Sequence, residues 1–348
     1  STQANYTGEP DSSQGPAVQM GFAKRKAFRG GELLSLNLGA SYEFEPDHLF
    51  SKDNANYEIS GDLSLTIPKL FLPKFLMPKR RLWQTTPSTV ITLSRETINR
   101  SNYFRRHILS SELTYIFQPT KQSVHKISPI IVEYDRLAHM TDKYLDKVLE
   151  SPILTASAKD YFITKMRYNY RFTSPMSYRH PIYFSTTLTE ASNILALGYL
   201  AAGKSWNEKD KVTFKAPFSQ FVKAEVDWRK TWSIGDHSSL VAHAQAGVLK
   251  VYGNSDSAPY SEYFYVGGAN NVRAFSARSI GPGRSHVTDS DLAYLTNVGD
   301  MKFVMNLEYR PHLFGSLYGA LFVDAGNVWT FNSDVDLKPT GDQQADDL

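Results

Sequence analysis

The chain contains no cysteine. Neither a disulfide framework nor a thiolate metal site can therefore form. Net charge is also scarce, at +3 over 348 residues, which is too little to point to nucleic-acid binding. Long apolar runs are missing. Ile194–Ala202 is the longest candidate, about half of the roughly 20 residues that a membrane helix needs. The stretch Ser1–Gly15 is polar and carries no signal-peptide pattern, so the chain reads as a mature protein or a fragment.

Aromatic residues are abundant, mostly Tyr and Phe, yet mean hydropathy is negative. A chain in which every second residue is apolar has this mixture. Glu32–Phe44 is the clearest case: Leu34, Leu36, Leu38, Ala40, Tyr42 and Phe44 share one parity, and Ser35, Asn37, Gly39, Ser41 and Glu43 the other. Successive strand side chains point to opposite faces, so such a segment has one oily and one wet surface. Similar patterns run through Ala17–Phe28, Tyr57–Ile67, Tyr161–Thr173, Ile182–Glu190, Ser219–Arg229, Leu240–Val251, Met301–Arg310 and Leu317–Trp329. Thr89–Thr97, Ile108–Phe117 and Ile127–Leu137 alternate more weakly. Thr141–Ala158 reads as a short amphipathic helix inside a loop.

The total is about a dozen strands of roughly ten residues with no helical domain between them, the length range of strands that cross a bilayer. The wet faces carry dense charge of both signs, as in Lys165, Arg167 and Arg171 or Lys223, Glu225, Asp227 and Arg229. That suits the lumen of an all-β, transmembrane antiparallel β-barrel whose other face meets lipid, because a charge at the lipid midplane costs about 2–4 kcal/mol. Trp83, Trp228, Trp232 and Trp329 fall near strand ends, where interfacial girdles form. Most connections alternate between short and long, as in bacterial barrels with short periplasmic turns. Pro68–Pro87 is an exception; it mixes Leu, Phe and Trp with Lys and Arg, a composition that fits either a membrane interface or a Pro-rich turn.

The longest connection, residues 252–300, holds Glu262–Gly283, which is too rich in Gly, Asn and Ser for a strand. A loop of this length is usually functional or disordered, and its Val272-Arg273-Ala274-Phe275 core argues against disorder. It is expected to fold into the lumen. By parity Asp324, Phe322 and Gly326 point inward with Asn306, Glu308 and Arg310. Arg273 should therefore reach Asp324 and Glu308, since its planar fork suits carboxylates. Phe275 should pack on Phe322, with Gly326 making room.

The stretch Gly267-Gly268-Ala269-Asn270-Asn271-Val272-Arg273-Ala274-Phe275 resembles the Val-Arg-Gly-Phe/Tyr motif of the BamA/TamA superfamily of outer-membrane assembly factors. Phe322-Val-Asp-Ala-Gly326 resembles the same family's Phe-x-Asp-x-Gly strand, and Asn306–Arg310 is also family-like. The Lys24–Glu45 hairpin is similar to one in the TamA-like branch of Bacteroidota, TamL. The resemblance implies a 16-strand barrel in the outer membrane of a Gram-negative, Bacteroidota-like bacterium. It implies insertion or translocation of client envelope proteins through a weak seam between first and last strands, without catalysis, cofactor or metal. A periplasm-spanning TamB-like partner is implied as well.

On this reading residues 1–16 are a polar segment, 17–332 a partial barrel and 333–348 an acidic tail, with one strand missing before Ala17 and three after Trp329. The family has Gly where this chain has Ala274; a β-carbon there is tolerated only at negative φ, so the loop tip is expected to differ slightly. Two-partner secretion and a patatin-linked phospholipase barrel are alternatives within the superfamily. Gly198–Ser205 matches the pattern G-x-x-x-x-G-K-S, which alone would suggest an NTPase that uses Lys204. A P-loop needs a strand before it and an apolar helix after it, and Trp206–Lys211 is no such helix. The chain has histidines (His107, His125, His139, His180 and His243) but no Gly-x-Ser-x-Gly elbow, so a barrel hydrolase is not favoured.

Overall fold

The computed structural model describes residues 2–331 except 9–13, 29, 44–55, 73–84, 101–102, 143, 146–147, 149–157, 176, 210, 215, 236, 269–270, 276 and 285–296. In chain order the elements are β1 (Thr2–Gly8), β2 (Gln14–Arg25), β3 (Leu33–Glu43), β4 (Asn56–Ile67), β5 (Ser88–Arg100), β6 (Phe104–Phe117), β7 (Ser123–Met140), β8 (Tyr161–Thr173) and β9 (Ile182–Ala191). There follow helix α1 (Asn193–Ala201), β10 (Val212–Thr213), β11 (Ala216–Pro217), β12 (Phe221–Ile234), β13 (Ser238–Val251), β14 (Met301–Arg310), β15 (His312–Phe314), β16 (Leu317–Tyr318) and β17 (Leu321–Trp329). All but β10, β11, β15 and β16 join one antiparallel ladder of 13 strands, each beside its neighbour in that order. No described helix is long and apolar enough to cross a membrane.

The period-2 pattern sorts the side chains as expected. On β14, Phe303, Met305 and Leu307 are 46, 50 and 43% exposed, whereas Val304 and Asn306 are 0 and 8% exposed. Leu321 and Val323 on β17 project outward in the same way. Every interior strand has its backbone satisfied on both sides, which is the requirement for crossing lipid. The apolar outward rows run from β2 to β17, far beyond the few hundred Å² that a water-soluble surface normally exposes. Trp232 and Trp329 stand on this outward side at opposite ends of the strands; Trp83 lies outside the described residues.

Three expectations need correction. One strand was expected to be missing before Ala17, but β1 supplies a strand there and pairs with β2 from Thr2↔Met20 to Gly8↔Gln14. Leu317 does not belong to the last long strand. It lies in β16, which pairs with β15 as a small hairpin between β14 and β17, because Gly319 and Ala320 interrupt the run. The connection after β4 does not simply turn. Its described start folds over the outward face, where the Phe71 carbonyl accepts from the Tyr115 hydroxyl at 2.8 Å and Thr89 Oγ1 donates to the Lys69 carbonyl at 2.7 Å. Asp142, Tyr144, Leu145 and Val148 are helical; most of the expected helix, and the acidic tail, lie outside the described residues.

Candidate functional site

The long loop between β13 and β14 returns to the inner face of the sheet. Isolated bridges Phe264↔Gly299 and Val266↔Ile280 fold it on itself. Its Ala258, Phe264, Val266 and Val272 join inward-pointing Tyr161, Ile163, Phe221, Leu249, Val304 and Val328 in one buried cluster. Burying an apolar side chain of this size stabilises by roughly 1.5–3 kcal/mol, so this cluster holds the body of the loop. Two glycines make the approach possible. A β-carbon on Gly247 would lie 2.6 Å from the Phe264 ring, and one on Gly326 would meet Val272 and Val304 at 3.0 Å. Gly326 thus makes room for Val272.

Arg273 lies at the tip. Its Nε and Nη2 donate to Asp324 Oδ2 and Oδ1, both at 2.7 Å, in a two-pronged fork. Its Nη1 donates to Glu308 Oε2, and its backbone N–H donates to Asp324 Oδ2 at 3.0 Å. Glu308 is shared, because Arg310 Nε donates to its other oxygen at 2.5 Å. The Asp324 hydrogen bonds, followed by those to Glu308, raise the Arg273 pKa further above its ordinary value. Asn306↔Asp324 lies five register steps from Met301↔Trp329 at the end where the loop enters, so the tip descends about 17 Å along the strands at roughly 3.4 Å per step.

Asp324, Glu308, Gly326 and Arg310, which parity expected to point inward, lie around Val272 and Arg273 in the structure. The aromatic pairing differs. The Arg273 guanidinium lies 3.6 Å from the Phe322 ring centroid, while Phe275 is 53% exposed. A flat cation can stack on the ring and still use its edge for the carboxylates. Gly267 and Gly268 have φ of 111° and 94°, and the Gly268 N–H closes the tip onto the Phe275 carbonyl at 2.8 Å. Ala274 has φ of +69°, the left-handed region that the sequence reading expected a β-carbon to exclude. The tip accepts that strain beside the ion pairs of Arg273.

A second anchor was not foreseen. Glu262 accepts from Lys165 of β8 at 2.8 Å and from Lys223 of β12 at 3.3 Å, and Lys165 also reaches Glu133 of β7 at 2.7 Å. Burial acts to raise the Glu262 pKa, but Lys165 and then Lys223 outweigh it and hold the carboxyl at about 2. The inward parity of Lys165 and Lys223 was a signal that their charge needed a partner in the lumen. His243 is a positioning group: its Nδ1 is 2.8 Å from Asn306 Oδ1, and Asn306 Nδ2 donates to the Asn271 carbonyl of the loop at 2.6 Å.

The Gly198–Ser205 pattern is not a phosphate loop. Gly198 lies inside α1, so helix rather than a strand-to-helix loop carries the first glycine, and Lys204 pairs with Glu208 at 2.6 Å on the surface.

Residues 209–346 match the Omp85 superfamily domain. Among solved structures the chain is similar to BamA from Haemophilus ducreyi lacking POTRA domains 1–3, at 13% identity and a TM-score of 0.62, over 94% of this chain and 57% of that one. It is also similar to CdiB from Acinetobacter baumannii, at 12% identity and a TM-score of 0.48, over 94% and 48%. For CdiB from Escherichia coli the identity is 10% and the TM-score 0.46, over 93% and 51%. The chain therefore spans 57% of the BamA chain's length and about half of the others. The BamA likeness shows the fold, a transmembrane antiparallel β-barrel present in part.

Proposed function

We propose that this chain, with its Omp85 superfamily match over residues 209–346, is the outer-membrane barrel of a Gram-negative envelope protein that inserts or exports other proteins. The observation that carries the reading is the lumen loop. It is clamped to β14 and β17 by Arg273, Asp324 and Glu308, inside a sheet whose other face is apolar. Such a lumen is organised around protein, with the loop packed on the strands at its centre. The barrel works without catalysis or nucleotide. An incoming client strand pairs its backbone with an open strand edge, which offers unpaired N–H and C=O groups as a template.

The finer assignment belongs to the same proposal: a TamL-like barrel of a Bacteroidota-like bacterium, working with a TamB-like periplasmic partner. The β2–β3 hairpin supports it, with the Glu32 carboxylate accepting from the Gly30 N–H at 2.8 Å across the Phe28–Glu32 turn.

The test uses the full protein in lipid vesicles presented with a urea-unfolded outer-membrane barrel client. Client insertion is read as the faster-running folded band on an unboiled gel. The expected result is severalfold faster insertion than in empty vesicles, reduced by Arg273→Ala. Equal rates with and without the intact protein would overturn the proposal.

A further inference from the structure

On the outward face of β4–β7, cations interrupt the apolar rows without a carboxylate among them. Toward the ends that join the long connections, three successive rows carry cations. In register, these rows are Gly61–Arg95–Leu109–Tyr134, Ile59–Thr97–His107–Arg136 and Tyr57–Asn99–Arg105–His139. Cross-strand partners share a face, and exposed Ile59 and Leu109 identify it as the outward one. A register shift beside Arg105 brings His139 onto the same side. Arg95, Arg105, Arg136 and His139 are all exposed.

No described Asp or Glu stands on the outward rows of these four strands; Glu58, Glu96, Glu112, Glu133 and Asp135 all have the inward parity. Among the described residues Arg105 reaches the neutral Asn99 side chain, at 3.0 Å. Among the described residues Arg95 and Arg136 have no carboxylate partner. Three arginines beside a lipid belt without a counter-charge would be expensive near the midplane, about 2–4 kcal/mol each, and tolerable only near the headgroups. The rows directly beneath are apolar but for Ser111: Leu63–Leu93–Ser111–Val132, then Leu65–Ile91–Leu113–Ile130.

Resting on the membrane placement proposed above, but not on client assembly, we propose that this patch is a binding site for the phosphate-bearing headgroup of an outer-leaflet lipid. The arginines take the phosphate oxygens, since the planar fork matches them in pairs. The acyl chains lie over Leu93, Ile91, Leu113 and Ile130. The patch is about 14 Å wide and about 14 Å tall, from strand spacings near 4.8 Å and rows near 6.8 Å apart, which is the footprint of one large headgroup. Gly61 beside Arg95 leaves the surface low there: a β-carbon on it would just touch Leu38, at 3.4 Å. Arg95 has the deepest position of the three, and an arginine's aliphatic stem is long enough to carry its head toward the interface.

The experiment is native mass spectrometry of the full protein in detergent, titrated with bis-phosphorylated lipid A and with the same glycolipid stripped of phosphate. The expected result is a retained one-to-one adduct with the phosphorylated lipid. Loss of the phosphates, or an Arg95→Gln, Arg105→Gln, Arg136→Gln triple variant, should weaken it by roughly tenfold per charge contact removed. Arg136→Gln alone, the change at the outer strand of the patch, should weaken it by roughly tenfold, and the phosphate-free lipid needs no variant at all. Equal binding of both lipids to the unaltered protein would overturn the proposal. So would displacement of the bound lipid by inorganic phosphate at matched concentration, which would make the patch a free-anion site. A chain that does not enter vesicles at all would overturn both proposals. One that enters and binds the lipid without inserting clients would overturn only the assembly reading.

Discussion

Replacing Arg273 with Ala should open the loop tip without unfolding the barrel. The substitution removes three side-chain hydrogen bonds to Asp324 and Glu308 and the stack on Phe322. It also leaves the Asp324 carboxylate, whose side chain is 4% exposed, with no cation, only the backbone N–H of residue 273 and the Asn306 side chain. Breaking one side of a buried pair costs about 3–5 kcal/mol. Arg310 still compensates Glu308, so the lower end applies. At about 1.4 kcal/mol per factor of ten, the open population of the tip rises roughly hundredfold. Phe264 and Val266 stay buried, and the Glu262 anchor is untouched, so the body of the loop remains seated. Because the chain has no cysteine, Val272→Cys provides a single buried thiol at the tip. Its maleimide labelling rate in vesicle-inserted protein reads the opening directly. The rate should rise about hundredfold when Arg273→Ala is added, while the heat-dependent gel shift stays unchanged. Arg273→Lys should fall between the two, since an ammonium cannot grip Asp324 with two parallel donors. Equal labelling rates with and without Arg273 would refute the reasoning.

The strain at Ala274 gives a test of sign. Its φ of +69° costs a β-carbon residue about 1 kcal/mol relative to glycine, so Ala274→Gly should slow labelling of the Val272→Cys thiol about fivefold; faster labelling would mean that the tip does not adopt this conformation. The Glu262 anchor predicts a pH dependence. Its carboxyl sits at about 2 when folded, against an ordinary value of 4.5. The stabilisation is therefore complete above pH 4.5 and is lost as pH falls toward 2. Pepsin cleavage of residues 258–268 should increase through that window, and Glu262→Gln should remove this part of the pH dependence while loosening the loop at neutral pH.

The wall of the barrel was legible because lipid on one side and water or protein on the other impose a strict period of two. The same parity expected Asp324 and Glu308 on one inward face of β17 and β14; their diagonal placement, with Asn306↔Asp324 and Glu308↔Phe322 in register, needed the strand pairing. β1 escaped because Thr2–Gly8 has no oily face; only its pairing with β2 reveals it. Glu262 escaped because its partner Lys165 is 97 residues away in sequence and no local pattern ties a loop carboxylate to a strand that distant. The orientation of Phe275 depends on the backbone at Ala274, and one residue with positive φ redirects every side chain after it. Parity does reveal Arg95, Arg105 and Arg136 on the lipid side, but only once the registers of four strands are known together.

The two anchors of the loop grip different parts of the wall. Glu262 holds β8 and β12 across β9, and Arg273 holds β14 and β17, with β13 lying between the two grips in the ladder. A segment fixed at two points along the inside of an arc is a chord. It sets the curvature of that arc: the sheet cannot flatten or tighten between β8 and β17 without stretching the chord or releasing one end. Any change of barrel girth on this side must therefore begin by breaking a named ion pair, and the two pairs are chemically unlike. One is a lysine-held carboxylate that yields to acid; the other is a guanidinium fork, which yields to competing hydrogen bonds.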